Sequence, residues 1–184
     1  MTRLIVLIGL PGSGKSSLAS RLTTAYPGSQ VISTDAIRAE LFGSESIQGA
    51  WLLVLPQIQQ QMRQAVEQSL MAIYDATNAV WCHRVEAIAL ARSTGFTKIT
   101  GIWLDTPVLM CLARNQERSR IVPNEVIWQM HSSLLDAPPS LKDGLDRLIR
   151  HSAASTEIAI ASQRKNRTQP SGRLCYPSFK ANIN

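Results

Sequence analysis

Eight consecutive residues, Gly9-Leu10-Pro11-Gly12-Ser13-Gly14-Lys15-Ser16, carry the densest chemical information in this chain. They satisfy G-x-x-x-x-G-K-[ST] at every fixed position. Glycines at this spacing let successive backbone N–H groups turn inward around phosphate oxygens. A helix opening behind them adds the partial positive charge of its N-terminus. Lys15 is expected to reach the β- and γ-phosphates of a nucleoside triphosphate, and the Ser16 hydroxyl to ligate magnesium. The expected nucleotide-binding set is Gly9, Pro11, Gly12, Ser13, Gly14, Lys15, Ser16 and Ser17. The plainer alternative is a flexible Gly/Ser turn; it loses because a strand pattern precedes the motif and a helix pattern follows it.

Three further groups could act on a bound triphosphate. Asp35 follows a short apolar run, and a carboxylate at the carboxyl end of a parallel strand faces the ligand crevice. There it can take a proton from an attacking hydroxyl. Arg38 lies one helical turn on and could hold an anionic group of the acceptor in a two-pronged contact. Alone, this pair reads as an N-cap aspartate with a surface arginine; beside a phosphate loop the chemical reading prevails. Asp75-Ala76-Thr77-Asn78 closes another strand pattern, so Asp75, Thr77 and Asn78 are candidates for contacting the acceptor. Asp75 could also stand behind magnesium or brace an arginine, and a strand-end turn would use the same residue types. Arg114, Arg118 and Arg120 form the densest basic cluster of the body. Arg114 and Arg118, four apart, are expected on one helix face, as a mobile lid that neutralises transition-state charge and excludes water. A solvated face or a patch for nucleic-acid phosphates is the alternative.

The elements that must position these groups alternate. Arg3–Ile8 is an apolar, β-branched run suited to a buried parallel strand. Lys15–Ala25 then reads as a helix, Gln30–Ser33 as a strand and Asp35–Leu41 as a helix. Trp51–Leu70 is a longer helix with Leu55, Ile58, Met62, Ala65 and Val66 on one face and Pro56 expected in its first turn. Ala72–Thr77 reads as a strand, Cys82–Ser93 as a helix and Thr97–Leu104 as a strand. Asp105-Thr106-Pro107 looks like a capped helix start, that helix running into Arg114–Arg120. Pro123 opens another helix that ends before Ala137-Pro138-Pro139. Leu145–Arg150 fits a last strand or a short helix. This alternation implies an α/β fold with a parallel sheet covered by helices on both faces, in one domain over 1–155.

Composition adds boundaries. The 184 residues are 45% hydrophobic and 17% charged, ordinary for a globular chain. The net charge of +6 resides mostly in Arg164, Lys165, Arg167, Arg173 and Lys180, so a nearly neutral body is expected to precede a basic, disordered tail over 156–184. Such a tail is weak support for a nucleic-acid partner. No apolar run reaches the roughly 18 residues of a membrane span, and Leu4–Ile8 is too short for a signal peptide, so the expected location is the cytoplasm with no membrane partner. Cys82, Cys111 and Cys175 match neither a disulfide framework nor zinc spacing. An N-K-x-D guanine-reading element is missing, which sets aside a GTPase, and the chain is too short for a ring-forming ATPase. Nothing in the sequence sets an oligomeric state.

Gly9–Ser16, Asp35…Arg38, Asp75-Ala76-Thr77-Asn78 and Arg114-Asn115…Arg118…Arg120 followed by Pro123 together resemble the kinase domain of phage-type polynucleotide kinases and related small P-loop, AAA-type ATP-binding kinases. The resemblance spans about residues 1–150 and keeps the motif order. It implies a P-loop NTPase fold with a parallel five-stranded sheet, ATP with magnesium, and phosphoryl transfer to a hydroxyl, which in polynucleotide kinases is the 5′-hydroxyl of DNA or RNA. It further implies Asp35 as general base, Arg38 as the contact to an acceptor phosphate, and Arg114, Arg118 and Arg120 as the lid. Two departures stand out. Family members place a glycine and extra residues before the strand that ends at Asp75, whereas Ser69-Leu70-Met71-Ala72-Ile73-Tyr74 runs almost directly into it. The chain is also expected to be a stand-alone kinase-like domain, without the phosphatase or ligase domain that polynucleotide end-repair enzymes often carry. The acceptor could equally be a small metabolite or nucleotide sugar, and a reading from another class is an ATP-binding regulatory module without transfer activity.

Overall fold

The computed structural model describes residues 1–152 apart from 46, 48 and 69, together with the backbone of 158–160. Strand β1 (Arg3–Ile8) lies at the middle of the sheet, because Leu4, Val6, Leu7 and Ile8 are all but fully buried and both faces must therefore be covered. It pairs in parallel with β3 (Met71–Asp75) on one side and β4 (Lys98–Asp105) on the other. Outside these lie β2 (Gln30–Ser33) and β5 (Arg147–Ser152), also parallel. The five parallel strands of the expected fold are thus present. Leu145–Arg150, which fitted either a strand or a short helix, supplies β5. A sixth strand, β6 (Ile158–Ile160), pairs antiparallel with β5, giving the order β2-β3-β1-β4-β5-β6. This short edge strand falls inside the expected tail; residues 161–184 lie outside the described residues.

Helix α1 (Lys15–Ala25) covers one face through Leu18, Ala19 and Leu22 against Ile5, Leu7, Ile73 and Ile102. The main core forms on the opposite face. There α2 (Thr34–Phe42), α3 (Trp51–Glu67), α4 (Trp81–Thr94), α5 (Val108–Gln116) and α6 (Asn124–Asp136) contribute Ile37, Ile58, Ile88, Cys111 and Ile127 to one cluster. A short 3-10 turn, Leu141–Asp143, leads into β5.

Four local expectations change. Helix α3 stops at Glu67 rather than Leu70, and the Leu70 N–H donates to Ala65 O at 2.8 Å. Strand β3 starts at Met71, one residue early, so the missing glycine is accommodated by a shorter helix. Pro56 lies beyond the first turn, in the sixth position of α3, since the helix begins at Trp51 as expected and its first turn ends before the proline. Asp105 and Thr106 do not cap α5, which has no side-chain cap. Both are committed elsewhere: Thr106 Oγ1 donates to Ser13 O, and Asp105 accepts from Arg150, whose guanidinium also lies over the Trp103 ring.

Candidate functional site

The carboxyl ends of β1, β2, β3 and β4 put Gly9, Thr34, Ala76 and Thr106 along one edge of the sheet, where a parallel α/β fold binds ligands. The turn after β1 is shaped by close approaches. A side chain at Gly9 would meet Ser13 Oγ at 2.8 Å and Leu104 O at 2.9 Å, and one at Gly12 would meet Cys111 O at 2.3 Å. Glycine is therefore required for the loop to lie between β4 and α5. Gly14, at φ 98°, caps α1 without a side-chain bond, so the first N–H groups of that helix are open to an anion. The buried Ser13 hydroxyl has no partner among the described residues. These are the features of a phosphate cradle.

Lys15 is 8% exposed, and its Nζ donates to Gly9 O at 2.9 Å and Leu10 O at 2.7 Å. Burial lowers its pKa from 10.5 to about 8, with nearby Asp75 and Asp35 opposing the shift and Arg118 adding to it. Asp75, at the end of β3, accepts a hydrogen bond from the Ser16 side chain. Burial raises its pKa, while Ser16, Lys15 and Arg118 pull it down. Hydroxyl and carboxylate oxygens side by side fit a hard cation that keeps waters and phosphate oxygens as its other ligands. Among the described residues no cluster of His, Cys, Asp or Glu forms a complete protein cage. Ser16 and Asp75 would thus hold magnesium alongside a triphosphate. That position sets Asp75 toward the phosphate loop rather than toward an acceptor.

Asp35 sits in the first turn of α2, whose N-cap Ser33 accepts from Ala36 N. Two guanidiniums converge on its Oδ1: Arg38 Nη1 at 3.0 Å and Arg120 Nη1 at 2.7 Å. The carboxylate is 39% exposed, whereas Arg38 and Arg120 are 14% and 13% exposed. Arg38 Nε is buried with no partner among the described residues.

The arginine cluster does not form a helix face. Helix α5 ends at Gln116, so Arg114 is helical and exposed while Arg118 and Arg120 lie in the following loop. The buried Asn115 closes that loop, its Nδ2 donating to Val122 O at 2.8 Å and its Oδ1 accepting from Val122 N at 3.1 Å. A side-chain latch therefore replaces the expected helical register. It sends Arg118 toward Lys15 and Asp75 and sends Arg120 to Asp35.

Asn78, a candidate for contacting the acceptor, is turned into the protein. It is 6% exposed, adopts φ 48°, and its Nδ2 donates to Leu7 O at 2.7 Å. Thr77 contributes its carbonyl, which accepts from Gly9 N at 2.9 Å. Both residues therefore brace the phosphate loop. Sequence reasoning passed over Arg84, Asp143 and the latch function of Asn115. Arg84 is a charge on an otherwise mixed helix, and its partner Asp143 is too distant in sequence for any spacing rule to join them.

Residues 4–138 match the AAA domain family of P-loop kinase-like proteins, and the chain belongs to it. An L-seryl-tRNA(Sec) kinase of Methanococcus maripaludis is 29% identical over 140 residues, covering 73% of this chain and 53% of that protein. The chain thus spans about half the length of this curated relative. Among solved structures, a chain of a Pnkp1/Rnl/Hen1 RNA repair complex superposes with a TM-score of 0.64 at 20% identity, over 79% of this chain and 46% of the other. A sugar kinase from Janibacter superposes at 0.60 and 18% identity, over 84% and 87%. At these identities the structural likeness establishes the fold, that of small P-loop kinases. No helix among the described residues is long and apolar enough to cross a membrane.

Proposed function

We propose that this chain is an ATP-dependent phosphotransferase that moves the γ-phosphoryl group of ATP to a hydroxyl. The observation that carries the reading is Asp35. It stands beside the phosphate loop, close enough to Lys15 and Asp75 to influence both, and it is flanked by two arginines. A nucleotide-binding switch has no need of a carboxylate there. Asp35 would accept the proton of the incoming hydroxyl as its oxygen bonds to the γ-phosphorus and the bond to the β–γ bridging oxygen breaks, releasing ADP. Lys15, Arg118 and the N-terminus of α1 would neutralise charge on the phosphoryl oxygens. Magnesium, held through Ser16 and Asp75, supplies further neutralisation of the β- and γ-phosphates when bound.

The two arginines at Asp35 favour an acceptor with an anionic group near its hydroxyl, since guanidiniums bind such groups through paired hydrogen bonds. The 5′-hydroxyl end of a polynucleotide has that chemistry, and the tRNA kinase and the RNA repair complex are, by their names, proteins that work with RNA. A small metabolite is the second reading, supported by the sugar kinase, which this chain matches over nearly its whole length. The test is transfer of label from γ-labelled ATP with magnesium to a 5′-hydroxyl oligonucleotide, to a panel of phosphorylated sugars and metabolites, and to water. Label on the oligonucleotide supports the first acceptor and label on a metabolite the second. Slow release to water alone would overturn transfer to a hydroxyl and leave a regulatory nucleotide-binding module.

A further inference from the structure

Helix α4 carries a fully buried arginine, Arg84, whose guanidinium bonds in three directions. Its Nε donates to Asp143 Oδ2 at 2.7 Å, its Nη1 to Asn78 O at 3.1 Å and Ala79 O at 3.3 Å, and its Nη2 to Ala137 O at 2.9 Å. Burying an ion pair is costly, and apolar residues of the same volume commonly hold a core as well. The pair therefore calls for a purpose beyond cohesion. Its position supplies one, because the carbonyls it holds belong to the segment that braces the phosphate loop. Asn78, fixed by Arg84 through its carbonyl, donates from its side chain to Leu7 O at the end of β1. Thr77, the residue before it, receives the Gly9 N–H, and Gly9 O in turn receives the Lys15 ammonium.

Asp143 is itself held firmly. It accepts from Ser140 N at 3.1 Å and completes a reciprocal cap with the Ser140 side chain. Ala137, the third anchor, is the C-cap of α6, the helix that follows directly on the arginine loop. One side chain thus joins the end of α6, the turn before β5 and the brace of the phosphate loop.

We propose that Arg84 is a positioning residue for the triphosphate: anchored by Asp143, it sets the 77–79 segment that fixes Gly9 and Lys15. The proposal rests on the reading of this loop as a nucleotide site. Loss of the guanidinium fork displaces the cradle, and misplacement of about 1 Å in a reacting site costs on the order of a hundredfold in rate.

The test uses the full chain and titration with a fluorescent N-methylanthraniloyl-ATP, with thermal melting in parallel. Binding by the unaltered chain first establishes the nucleotide site, independently of Arg84. Arg84→Lys retains the charge near Asp143 but removes the fork; it is expected to weaken nucleotide binding about ten- to a hundredfold. Arg92→Lys is the control, a half-exposed arginine of the same helix paired with Asp146, and it is expected to lower the melting temperature without altering binding. Asn78→Gly keeps the positive φ and leaves the Arg84–Asp143 pair intact, removing the side-chain bonds to Leu7 O and Ala76 O, so it tests the brace without disturbing the buried ion pair. It should weaken binding similarly, and Arg84→Lys added to it should weaken binding little further. Melting lowered with nucleotide affinity unchanged, in Arg84→Lys or in Asn78→Gly, would overturn the proposal. So would losses in the two variants that simply add.

Discussion

Replacing Gly12 by alanine isolates the contact between the phosphate loop and α5. Gly12 has φ 79°, and Gly43 at the end of α2 has φ 75°, so a methyl group meets the same backbone penalty at both. That penalty is about 1–2 kcal/mol, which for a chain of this size lowers Tm by roughly 2–8 °C. The surroundings differ. Nothing lies within 4 Å of a Cβ at Gly43, whereas at Gly12 it would sit 2.3 Å from Cys111 O and 3.1 Å from Cys111 C. Ordinary carbon–oxygen contacts begin near 3.3 Å, so the loop and α5 must separate by about 1 Å. The atoms in the way are helical backbone and cannot rotate aside. Displacement of that size in a binding cradle costs on the order of a hundredfold. Thermal melting and titration with a fluorescent ATP analogue, run on both variants, should show Gly43→Ala losing stability alone and Gly12→Ala losing nucleotide affinity as well. Equal nucleotide affinity in the two variants would refute the claim that this contact shapes the loop.

Other perturbations separate the remaining parts. With the Lys15 pKa lowered by burial from 10.5 to about 8, the folded chain between these values has released a proton that the unfolded chain keeps. Stability of the nucleotide-free chain should therefore rise with pH across that window. Affinity for the triphosphate should instead fall above about pH 8, since binding needs the charged amine; a flat titration from neutral pH upward contradicts this. Arg118→Ala should mainly raise the KM for ATP and lower kcat, because Arg118 faces Lys15 and Asp75, whereas Arg120→Ala should mainly raise the KM for the acceptor, because Arg120 meets Asp35. Steady-state kinetics with each substrate varied in turn would reveal the split, and identical profiles would remove it. Asn115→Ala leaves the Val122 N–H and C=O without their partner, at a cost of about 1–3 kcal/mol for each buried group so orphaned. It should reduce kcat beyond what melting accounts for, and proteolysis should report a loosened 117–122 loop.

Much of the scaffold could be read from the residues. The run Arg3–Ile8, the glycine motif and the helix from Lys15 appear at the expected positions because each is determined locally, by apolar continuity and by the backbone freedom of glycine. Asp35 and Asp75 are found at strand ends because parallel sheets present those ends to ligand. What misled was fixed by distant contacts. Arg118 was placed on a helix by its spacing from Arg114, but the side chain of Asn115 reaches forward to Val122 and ends that helix regime. Asn78 had the composition of an acceptor contact, yet Leu7 O claims its amide from across 71 positions. Arg84 and Asp143, 59 residues apart, carry no periodic or spacing signal at all. Local propensity is silent on such long-range polar commitments.

The most direct test of the central claim is Asp35→Asn, assayed for label transfer from γ-labelled ATP with magnesium and, separately, for nucleotide binding. Asparagine keeps the size of the side chain and a hydrogen-bond acceptor for Arg38 and Arg120, but it cannot take the proton of a hydroxyl. The account predicts transfer reduced on the order of a hundredfold or more, with nucleotide affinity preserved. Transfer undiminished in Asp35→Asn would contradict it, and would mean that this carboxylate anchors two arginines without acting on the acceptor.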